Sequence, residues 1–527
     1  MTKDNTASPA RGAGTGRAAP GGVPLYPALL AIAFVLSIVL TTGGSPYAGL
    51  RLLIGFAIGA LLVSAAARVL LGDRDRAGIV AALIVVFAFK GMDWRIAILL
   101  LIAIGLIVVE RLAAMRRPLK VPWALVGRVM NAASVVLLVA VVLRSAGDGS
   151  LAPYLGAIRG EGPTALRDMV PADTAAVGAP DVFLVILDGH ARADKLESIF
   201  GHDEAPFLAA LEARGFEVAS ASRSNYLLTA QSLTSMMNMG HVADIVDHQT
   251  ASATPSGYTS EIRRLAGNGL VFDEFRKLGY EVVVVASGFE EVALRGADRY
   301  IDTGQINELE VRTVGNTVVA PAIQLVAPDW FADQHRSRVA SVFEAANGLA
   351  REAHDRPRFV VVHVPSPHAP IVFGADGSAV PMHDLANFYD DTFSHRTGPR
   401  EEALARYAGQ VSHIDALAVS VVDEILAGAT SPPIILVLSD HGSAAGVAWE
   451  DLKGSDLDER TANLFAAYTP GRSGVFPSDI SLVNVFGLLL EAYFGREYTP
   501  QPDTAYRWEG IFLNVVPIDL PAPAPTE

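Results

Sequence analysis

The sequence predicts an N-terminal α-helical transmembrane bundle followed by an α/β sandwich, a mainly parallel sheet with helices on both faces. Long apolar runs are concentrated in residues 25–144. Beyond residue 180, short β-branched runs alternate with stretches of helical periodicity. Continuous apolar strands separated by helices are typical of parallel sheets that are covered on both faces.

Five apolar segments occupy the first part of the chain, at roughly 25–42, 48–71, 77–90, 95–112 and 124–143. Most of them approach the ~20 residues that a spanning helix needs, so a transmembrane domain of about five helices is predicted over 23–145. The third segment is short and is followed by Lys90 and Asp93, which leaves four spans as the alternative. The first segment lacks a small-residue cleavage site and is not interpreted as a signal peptide.

The predicted orientation follows from the basic residues. Residues 1–22 are polar and rich in Gly, Ala and Pro, and are predicted to be a disordered cytoplasmic tail. Lys and Arg then concentrate in the segments on the same side as this tail, which the positive-inside rule assigns to the cytoplasm. Five spans place everything after about residue 145 on the outer side, whereas four would place it inside. We therefore predict a multi-pass protein of the cytoplasmic membrane, with its soluble domain in the periplasm or outside the cell.

Charge and cysteine content exclude several classes of function. Residues 1–150 hold 15 Lys and Arg against 6 Asp and Glu, so they carry +9 of the total of −15 and the remainder carries −24. An acidic soluble domain argues against nucleic acid as a partner, because phosphate backbones require clustered basic residues. The chain contains no cysteine, which excludes disulfides, cysteine-type zinc sites and a thiol nucleophile.

The remainder divides into a predicted linker (146–180), a catalytic domain (181–500) and a C-terminal tail (501–527). Four buried strands are predicted at Val182–Leu187, Val282–Ala286, Phe359–Val364 and Ile434–Leu438. Helical periodicity is found at 204–214, 269–278, 335–353, 400–427 and 482–494. Ligands of such sheets bind beyond the carboxyl ends of the strands, so functional residues are expected there.

Three of these strands are followed by chemically useful side chains. Asp188 follows the first strand, His368 lies beyond the third, and Asp440-His441 follows the fourth. A divalent metal prefers hard oxygen and imidazole ligands, which Asp188, Asp440 and His441 supply. Thr229 is placed near a helix N-terminus. We therefore expect a metal site at this edge of the sheet, with Thr229 beside it.

Thr229 is the candidate nucleophile, because metal coordination and a helix N-terminus would both favour its alkoxide. His368 is placed to bind a substrate oxygen or to protonate the leaving group. The expected reaction is in-line attack on phosphorus or sulfur, giving a covalent ester on Thr229. Taken singly, each residue has a structural alternative: the aspartates as turns or caps, Thr229 as an N-cap, and His363 as a core residue. His190, His395 and His413 are interpreted as mostly surface histidines.

At these residues the sequence resembles the membrane-bound branch of the sulfatase-like hydrolase/transferase family in the alkaline phosphatase superfamily. This branch includes lipoteichoic acid synthases and lipid A phosphoethanolamine transferases. The resemblance covers about 180–500 and rests on Asp188-Gly-His190, Asn225-Tyr-x-x-Thr229, Pro365-Ser-Pro-His-Ala-Pro370, Tyr407-x-x-Gln410, Asp440-His-Gly442 and Glu459-Arg-Thr-Ala462. Five preceding helices also resemble the synthase and transferase architecture.

The resemblance implies an alkaline phosphatase-like fold with a single metal held by Asp188, Thr229, Asp440 and His441. Manganese or zinc is expected, with magnesium or calcium as alternatives. His368 falls where these enzymes place a substrate-binding histidine. Additional candidates for substrate binding are Asn225, His395 and Arg460, and Arg460 has a surface ion pair as its structural alternative.

Two departures from the family pattern bear on the reaction. Formylglycine sulfatases need Cys or Ser followed by x-Pro-x-Arg, whereas Thr229 is followed by Ala-Gln-Ser-Leu. Threonine cannot be converted to formylglycine, so sulfatase chemistry of that kind is not expected. Close relatives usually carry Tyr where this chain has His190, which is expected to alter the rim of the substrate site.

The leading hypothesis is therefore an enzyme that moves a phosphoglycerol or phosphoethanolamine group from a membrane lipid to an envelope lipid or glycan. Hydrolysis of phosphate or sulfate esters on envelope polymers is the alternative, because both reactions share the covalent step. A non-catalytic envelope protein and a transporter are two further classes. The intact set of candidate ligands argues against the first, and the scarcity of charges within the spans argues against the second. The oligomeric state is not predicted.

Overall fold

A computed structural model describes residues 24–41, 46–90, 102, 105, 122–147, 179–246, 255–385, 388–392, 399–509 and 511–520. The chain divides into two compact units, one formed by residues 1–33 and 54–139 and the other by residues 34–53 and 140–527. The predicted tail at 1–22 and most of the predicted linker at 146–180 lie outside the described residues.

Four long N-terminal helices are described: α1 (Tyr26–Thr41), α2 (Pro46–Leu71), α3 (Arg74–Lys90) and α4 (Trp123–Gly147). By length and composition, two helices of the described chain could cross a membrane, α4 and the Ala48–Leu71 part of α2. Helices α1 and α3 are shorter, with 16 and 17 residues. The predicted span at 95–112 lies almost entirely outside the described residues. The number of five spans therefore stays a prediction.

Within the first unit, the start of α1 is held by polar contacts with its neighbours. The side-chain oxygen of Asn131 on α4 accepts hydrogen bonds from the backbone N–H groups of Leu25 and Tyr26, at 3.0 and 2.9 Å. These are among the donors that a helix start leaves without an intrahelical partner. The Tyr26 hydroxyl also lies so near Gly78 on α3 that a Cβ there would be 2.5 Å from it. This close approach requires glycine.

The second unit is built on a seven-stranded sheet. Its strands are β1 (Val182–Leu187), β2 (Glu217–Val218), β3 (Glu281–Val285), β4 (Arg299–Ile301), β5 (Arg358–Val364), β6 (Ile434–Leu438) and β7 (Phe465–Tyr468). The order is β2-β7-β6-β1-β5-β3-β4, and the five strands from β6 to β4 are parallel. Strand β7 is antiparallel to both of its neighbours. The mainly parallel sheet and its four predicted strands are confirmed, and β2, β4 and β7 are additional short strands.

Strand β1 lies at the centre of the sheet, between β5 and β6, and all six of its residues are buried. Its side chains alternate between two hydrophobic cores, with Val185 and Leu187 in one and Leu184 and Ile186 in the other. Burial of each such side chain contributes about 1.5–3 kcal/mol. An all-apolar strand is stable here because helices cover both faces of the sheet.

Helices fill both layers around the sheet. They are α5 (Ala193–Phe200), α6 (Ala205–Glu212), α7 (Thr229–Asn238), α8 (Val242–Ile245), α9 (Pro255–Gly267), α10 (Leu270–Lys277), α11 (Glu308–Gly315), α12 (Val319–Val326), α13 (Trp330–Arg351), α14 (Arg400–Gly428), α15 (Leu457–Thr461) and α16 (Val485–Phe494). The five predicted helices correspond to α6, α10, α13, α14 and α16. Two short 3₁₀ turns lie at Glu290–Val292 and Leu482–Asn484.

The region predicted as a C-terminal tail forms a hairpin instead, with β8 (Tyr506–Glu509) paired to β9 (Ile511–Pro517). It packs on other parts of the second unit through aromatic side chains: Tyr506 stacks on Tyr226, and Trp508 stacks on Trp449. The backbone N–H of Tyr506 also donates to the carbonyl of Asn225 at 2.8 Å. The hairpin lies in the same compact unit as the sheet, and the predicted domain boundary at residue 500 stays a prediction.

Candidate active site

The parallel register of β1 and β6 brings two aspartates and a histidine together. Ile186 pairs with Leu438, so Asp188 and Asp440 emerge side by side at the same edge of the sheet. The ligand atoms of Asp188, Asp440 and His441 all lie within 4.8 Å of one another, and the three residues are completely buried. We call them the first cluster.

Thr229 is the first residue of α7 and lies beside the first cluster. Its hydroxyl oxygen is 3.1 Å from Nε2 of His441. The preceding residue, Leu228, occupies the cap position in an extended conformation, and no side chain caps the helix. The Thr229 hydroxyl therefore does not serve as an N-cap. It lies at a helix N-terminus, where the backbone favours negative charge.

The first cluster fits a divalent cation. Oδ1 of Asp188 and Oδ2 of Asp440 are buried, and neither accepts a hydrogen bond from the described part of the chain. Buried polar atoms are otherwise almost always paired. Nδ1 of His441 faces the carbonyl of Gly442 at 2.9 Å, so its Nε2 is turned towards Asp440, 3.2 Å from Oδ2. This is how a second contact orients a metal-binding imidazole.

His363 on β5 contacts the first cluster through the side chain of Asp188. Its Nε2 lies 3.0 Å from Oδ2 of Asp188. Burial raises the pKa of Asp188, but the hydrogen bond from His363 and the charges of nearby histidines outweigh it and lower the pKa to about 2. The sequence favours a structural core position for His363. In the structure it is buried and also contacts a candidate metal ligand.

His368, Asp391 and Arg460 form a charged group next to the first cluster. Nε2 of His368 lies 3.2 Å from Oδ2 of Asp391, and Nη1 of Arg460 lies 2.6 Å from the same oxygen. Burial lowers the pKa of His368, but the hydrogen bond and charge of Asp391 outweigh this and raise the pKa to about 9. Asp391 therefore favours the protonated form of His368. Asp391 was missed by sequence reasoning, because it lies in a loop segment without periodicity.

A small cavity lies against these residues, and Gly189, His368, Asp391 and Arg460 contribute to its lining. Arg460 is buried and rigidly held: its Nε donates to the carbonyl of Leu227 at 2.7 Å. Its Nη2 is 3.1 Å from Nε2 of His441. Arg460 thus forms a buried ion pair with Asp391 rather than a surface ion pair, and its contact with substrate stays a prediction.

Other predicted residues are placed elsewhere. The Asn225 side chain accepts from the N–H of Val483 and donates to the carbonyl of Thr504, so its amide is used within the protein. His395 lies outside the described residues. His190, interpreted as a surface residue at the substrate rim, is completely buried and points to Asp415. A polar Gly189-His190 pair after a strand resembles an exposed turn, but α14 covers it.

Fold and site together define an α/β domain with a candidate metal site at the carboxyl edge of its sheet. The sulfatase family profile matches residues 180–471, more than half of the chain, and the chain belongs to this family. Family membership supports an enzyme of the hydrolase or phosphoryl transferase class. No curated protein matches the chain.

Several solved structures are similar to this chain at low sequence identity. One is the integral membrane lipooligosaccharide phosphoethanolamine transferase A from Neisseria meningitidis, with 13% identity, 89% of this chain and 94% of that chain covered, and a TM-score of 0.36. Another is the C-terminal periplasmic domain of EcEptC from Escherichia coli in complex with Zn, with 12% identity, coverage of 62% and 85%, and a TM-score of 0.40. A third is the phosphonate monoester hydrolase of Agrobacterium radiobacter, with 15% identity, coverage of 62% and 80%, and a TM-score of 0.40.

Proposed function

We propose that this protein is a membrane-anchored, metal-dependent enzyme that transfers a phospho-substituent, of the phosphoglycerol or phosphoethanolamine type, from a membrane lipid to an envelope lipid or glycan. Its intermediate is a covalent ester on Thr229. The observation that carries the proposal is the position of the Thr229 hydroxyl, 3.1 Å from His441 and at the start of α7. There the hydroxyl adjoins three side chains that fit a divalent cation.

In the first step, the Thr229 oxygen attacks phosphorus in line with the leaving alcohol. The Oγ1–P bond forms as the P–O bond to the alcohol breaks, the hydroxyl proton passes to water, and protonated His368 gives its proton to the departing oxygen. A bound divalent cation, manganese or zinc in the first instance, supplies positive charge that lowers the pKa of the Thr229 hydroxyl. In the second step, an acceptor hydroxyl attacks phosphorus, the Oγ1–P bond breaks, His368 takes the acceptor proton, and Oγ1 of Thr229 takes back a proton from water.

The charges around the cavity favour an anionic phosphodiester. Arg460 and protonated His368 both border the cavity, and the Asp391 carboxylate pairs with both of these side chains. Buried guanidinium groups suit phosphate because they are permanently charged and donate several hydrogen bonds in one plane. The start of α7 adds backbone dipoles that favour the same negative charge.

The membrane setting is part of the proposal. Helices α2 and α4 are apolar and long enough to anchor the protein. Arg51, in the first turns of α2, belongs to the same compact unit as the sheet and pairs with Glu310 at 2.6 Å. The predicted orientation puts Arg51 at the outer end of its helix, and this contact supports an α/β domain on the outer side. An anchored domain acts on lipid without a diffusional search.

Hydrolysis of a phosphate or sulfate ester is the second candidate, and the sulfatase family match is the observation that favours it. Water would then replace the acceptor hydroxyl in the second step. Thr229 cannot become formylglycine, so the hydrolase would use the same covalent phosphoryl or sulfuryl ester.

The test uses the full chain in detergent, loaded with manganese or zinc, on nitrophenyl phosphodiester, phosphomonoester and sulfate substrates. Thr229→Ala is compared with Thr234→Ala. Thr234 lies on the same helix and is buried, and its hydroxyl donates to the carbonyl of Ala230. We expect phosphodiester turnover that Thr234→Ala retains and Thr229→Ala loses. With a lipid donor, mass analysis of the Thr229 peptide should show the attached phospho-group.

Equal phosphodiester turnover by Thr229→Ala and the wild type would remove the proposed nucleophile. Turnover of the sulfate ester alone would favour hydrolysis of sulfate esters over transfer of a phospho-group. Release of the lipid phospho-group to water at the same rate with and without an envelope acceptor would also favour hydrolysis over transfer.

A further inference from the structure

A second group of metal-ligating side chains lies on the other side of the turn that follows β1. It comprises His190, His202, Glu204 and Asp415, and we call it the second cluster. His190 is two residues beyond Asp188, His202 and Glu204 precede α6, and Asp415 lies in the middle of α14. The ligand atoms of His190, Glu204 and Asp415 all lie within 4.8 Å of one another. Neither the family match nor the proposed reaction assigns these residues a role.

The second cluster is almost sealed from solvent. The side chains of His190 and Glu204 are 0% and 1% exposed, that of Asp415 is 7% exposed, and only His202, at 17%, approaches the surface. Nε2 of His190 is 2.9 Å from Oδ1 of Asp415 and 3.5 Å from Oε1 of Glu204. Nε2 of His202 is 3.0 Å from Oε2 of Glu204.

The geometry around Glu204 points to a ligand. Both of its carboxylate oxygens are buried, and neither accepts a hydrogen bond with acceptable geometry within the described residues, although two imidazole nitrogens lie close by. A buried carboxylate without hydrogen bonds is costly. The ligand atoms of His190, Glu204 and Asp415 lie within 4.8 Å of one another, as ligands around a common centre do.

The ring of His190 is oriented like that of a metal ligand. Its Nδ1 lies 2.9 Å from the carbonyl of Ala191, so Nδ1–H donates there and the Nε2 lone pair faces the carboxylates. A lone pair facing a carboxylate oxygen at 2.9 Å is repulsive unless something positive lies between them. That positive group is either an added proton, which gives a network of ion pairs, or a cation.

We propose that the second cluster is a binding site for a second divalent cation, separate from the catalytic one. One imidazole nitrogen and two carboxylates converge here, and His202, whose Nε2 lies 3.0 Å from Oε2 of Glu204, is the candidate fourth ligand of a site that suits zinc in a structural role. A divalent cation with neutral imidazoles also cancels the charge of the two buried carboxylates. The cation would tie together the turn after β1, the start of α6 and the middle of α14, and so fix the turn that carries Asp188.

The test counts bound zinc in the full-length protein, purified without a histidine tag and reconstituted with zinc, by elemental mass spectrometry. The wild type is expected to bind two zinc ions per chain, Glu204→Gln one, Asp440→Asn one, and the double variant none. His383→Gln is the matched control, since it removes a histidine that lies near a carboxylate but is exposed. It should keep both ions.

If the second cluster is only a network of ion pairs, the number of zinc ions bound per chain is different. A single zinc in the wild type, lost by Asp440→Asn and kept by Glu204→Gln, would overturn the proposal. Should Glu204→Gln not fold, His202→Gln tests the same site from its more exposed edge and should also lose one ion. Zinc should raise the Tm of Asp440→Asn but not that of the double variant, because only a ligand of the native state stabilises it. These readouts do not depend on turnover, so failure of the proposed function leaves them unaffected.

Discussion

The two clusters flank one short turn and use the same kinds of ligand, yet their surroundings differ. In the first cluster, Asp188, Asp440 and His441 adjoin a threonine hydroxyl at a helix start and lie beside a cavity bordered by Arg460. In the second cluster, His190 meets two carboxylates that neighbouring helices bury.

The difference shows what turns a set of ligands into a reaction site. A closed set of four protein ligands leaves a cation no free position and suits a structural role. Three buried ligands next to a half-buried hydroxyl leave a position for a reacting group. We therefore expect substitutions in the first cluster to act on turnover and substitutions in the second to act on stability.

The largest expected effect is the difference in kcat between a variant of the first cluster and a variant of the second. Asp440→Asn should lower phosphodiester kcat by at least about 10³-fold, because it weakens cation binding beside the nucleophile. Glu204→Gln should lower kcat by no more than about 10-fold, an effect within the range for supporting groups. Both variants are measured after reconstitution with the same amount of zinc as the wild type. Equal losses in the two variants would contradict the division of roles.

A second prediction concerns the proton that His368 supplies. Its pKa is raised to about 9, so the acid form is present below that pH and is lost as the pH rises through about 9. With an alkyl leaving group, kcat should therefore be level near neutral pH and fall on the alkaline side. Asp391→Asn removes the main cause of the raised pKa and should move this fall to lower pH.

Nitrophenolate leaves without protonation and provides the control for this prediction. His368→Gln should lower kcat on alkyl phosphodiesters by about 10²-fold or more while changing nitrophenyl turnover far less. An equal loss on both substrates would indicate that His368 binds the substrate rather than protonating the leaving group.

The position of a residue directly after an apolar strand decides whether the sequence could predict its place in this site. Asp188, Asp440 and His441 each follow a continuous apolar strand, and parallel strands end at a common edge, so the sequence predicts the shared edge. That β1 and β6 are neighbours is set by the strand order of the sheet. Asp391 has no such signal, because its loop reaches the site only through the packing of the whole domain. The burial of His190 was missed because the covering α14 lies more than 200 residues away along the chain.

The third prediction tests whether the hydrogen bond from His363 to Asp188 strengthens cation binding at the first cluster. His363→Ala removes the hydrogen bond to Asp188 at 3.0 Å and should weaken zinc binding there by about 10- to 100-fold. His363→Gln retains an N–H donor and should recover part of that affinity, measured by competition with a chelator. Zinc binding at the second cluster should not change. Unaltered affinity in His363→Ala would return His363 to a purely structural role.

The smallest expected effect is at Tyr407, which holds the turn between the clusters. Its hydroxyl donates to the carbonyl of Gly189 at 2.7 Å and accepts from the N–H of Ala191 at 3.2 Å. Tyr407→Phe leaves both buried backbone groups without this partner, at a cost of about 1–3 kcal/mol in the free energy of unfolding. The loss should appear in denaturant titration, with kcat nearly unchanged at saturating zinc. If the turn couples the clusters, the same variant should weaken zinc binding at both, whereas weakening at one alone would show that they are independent.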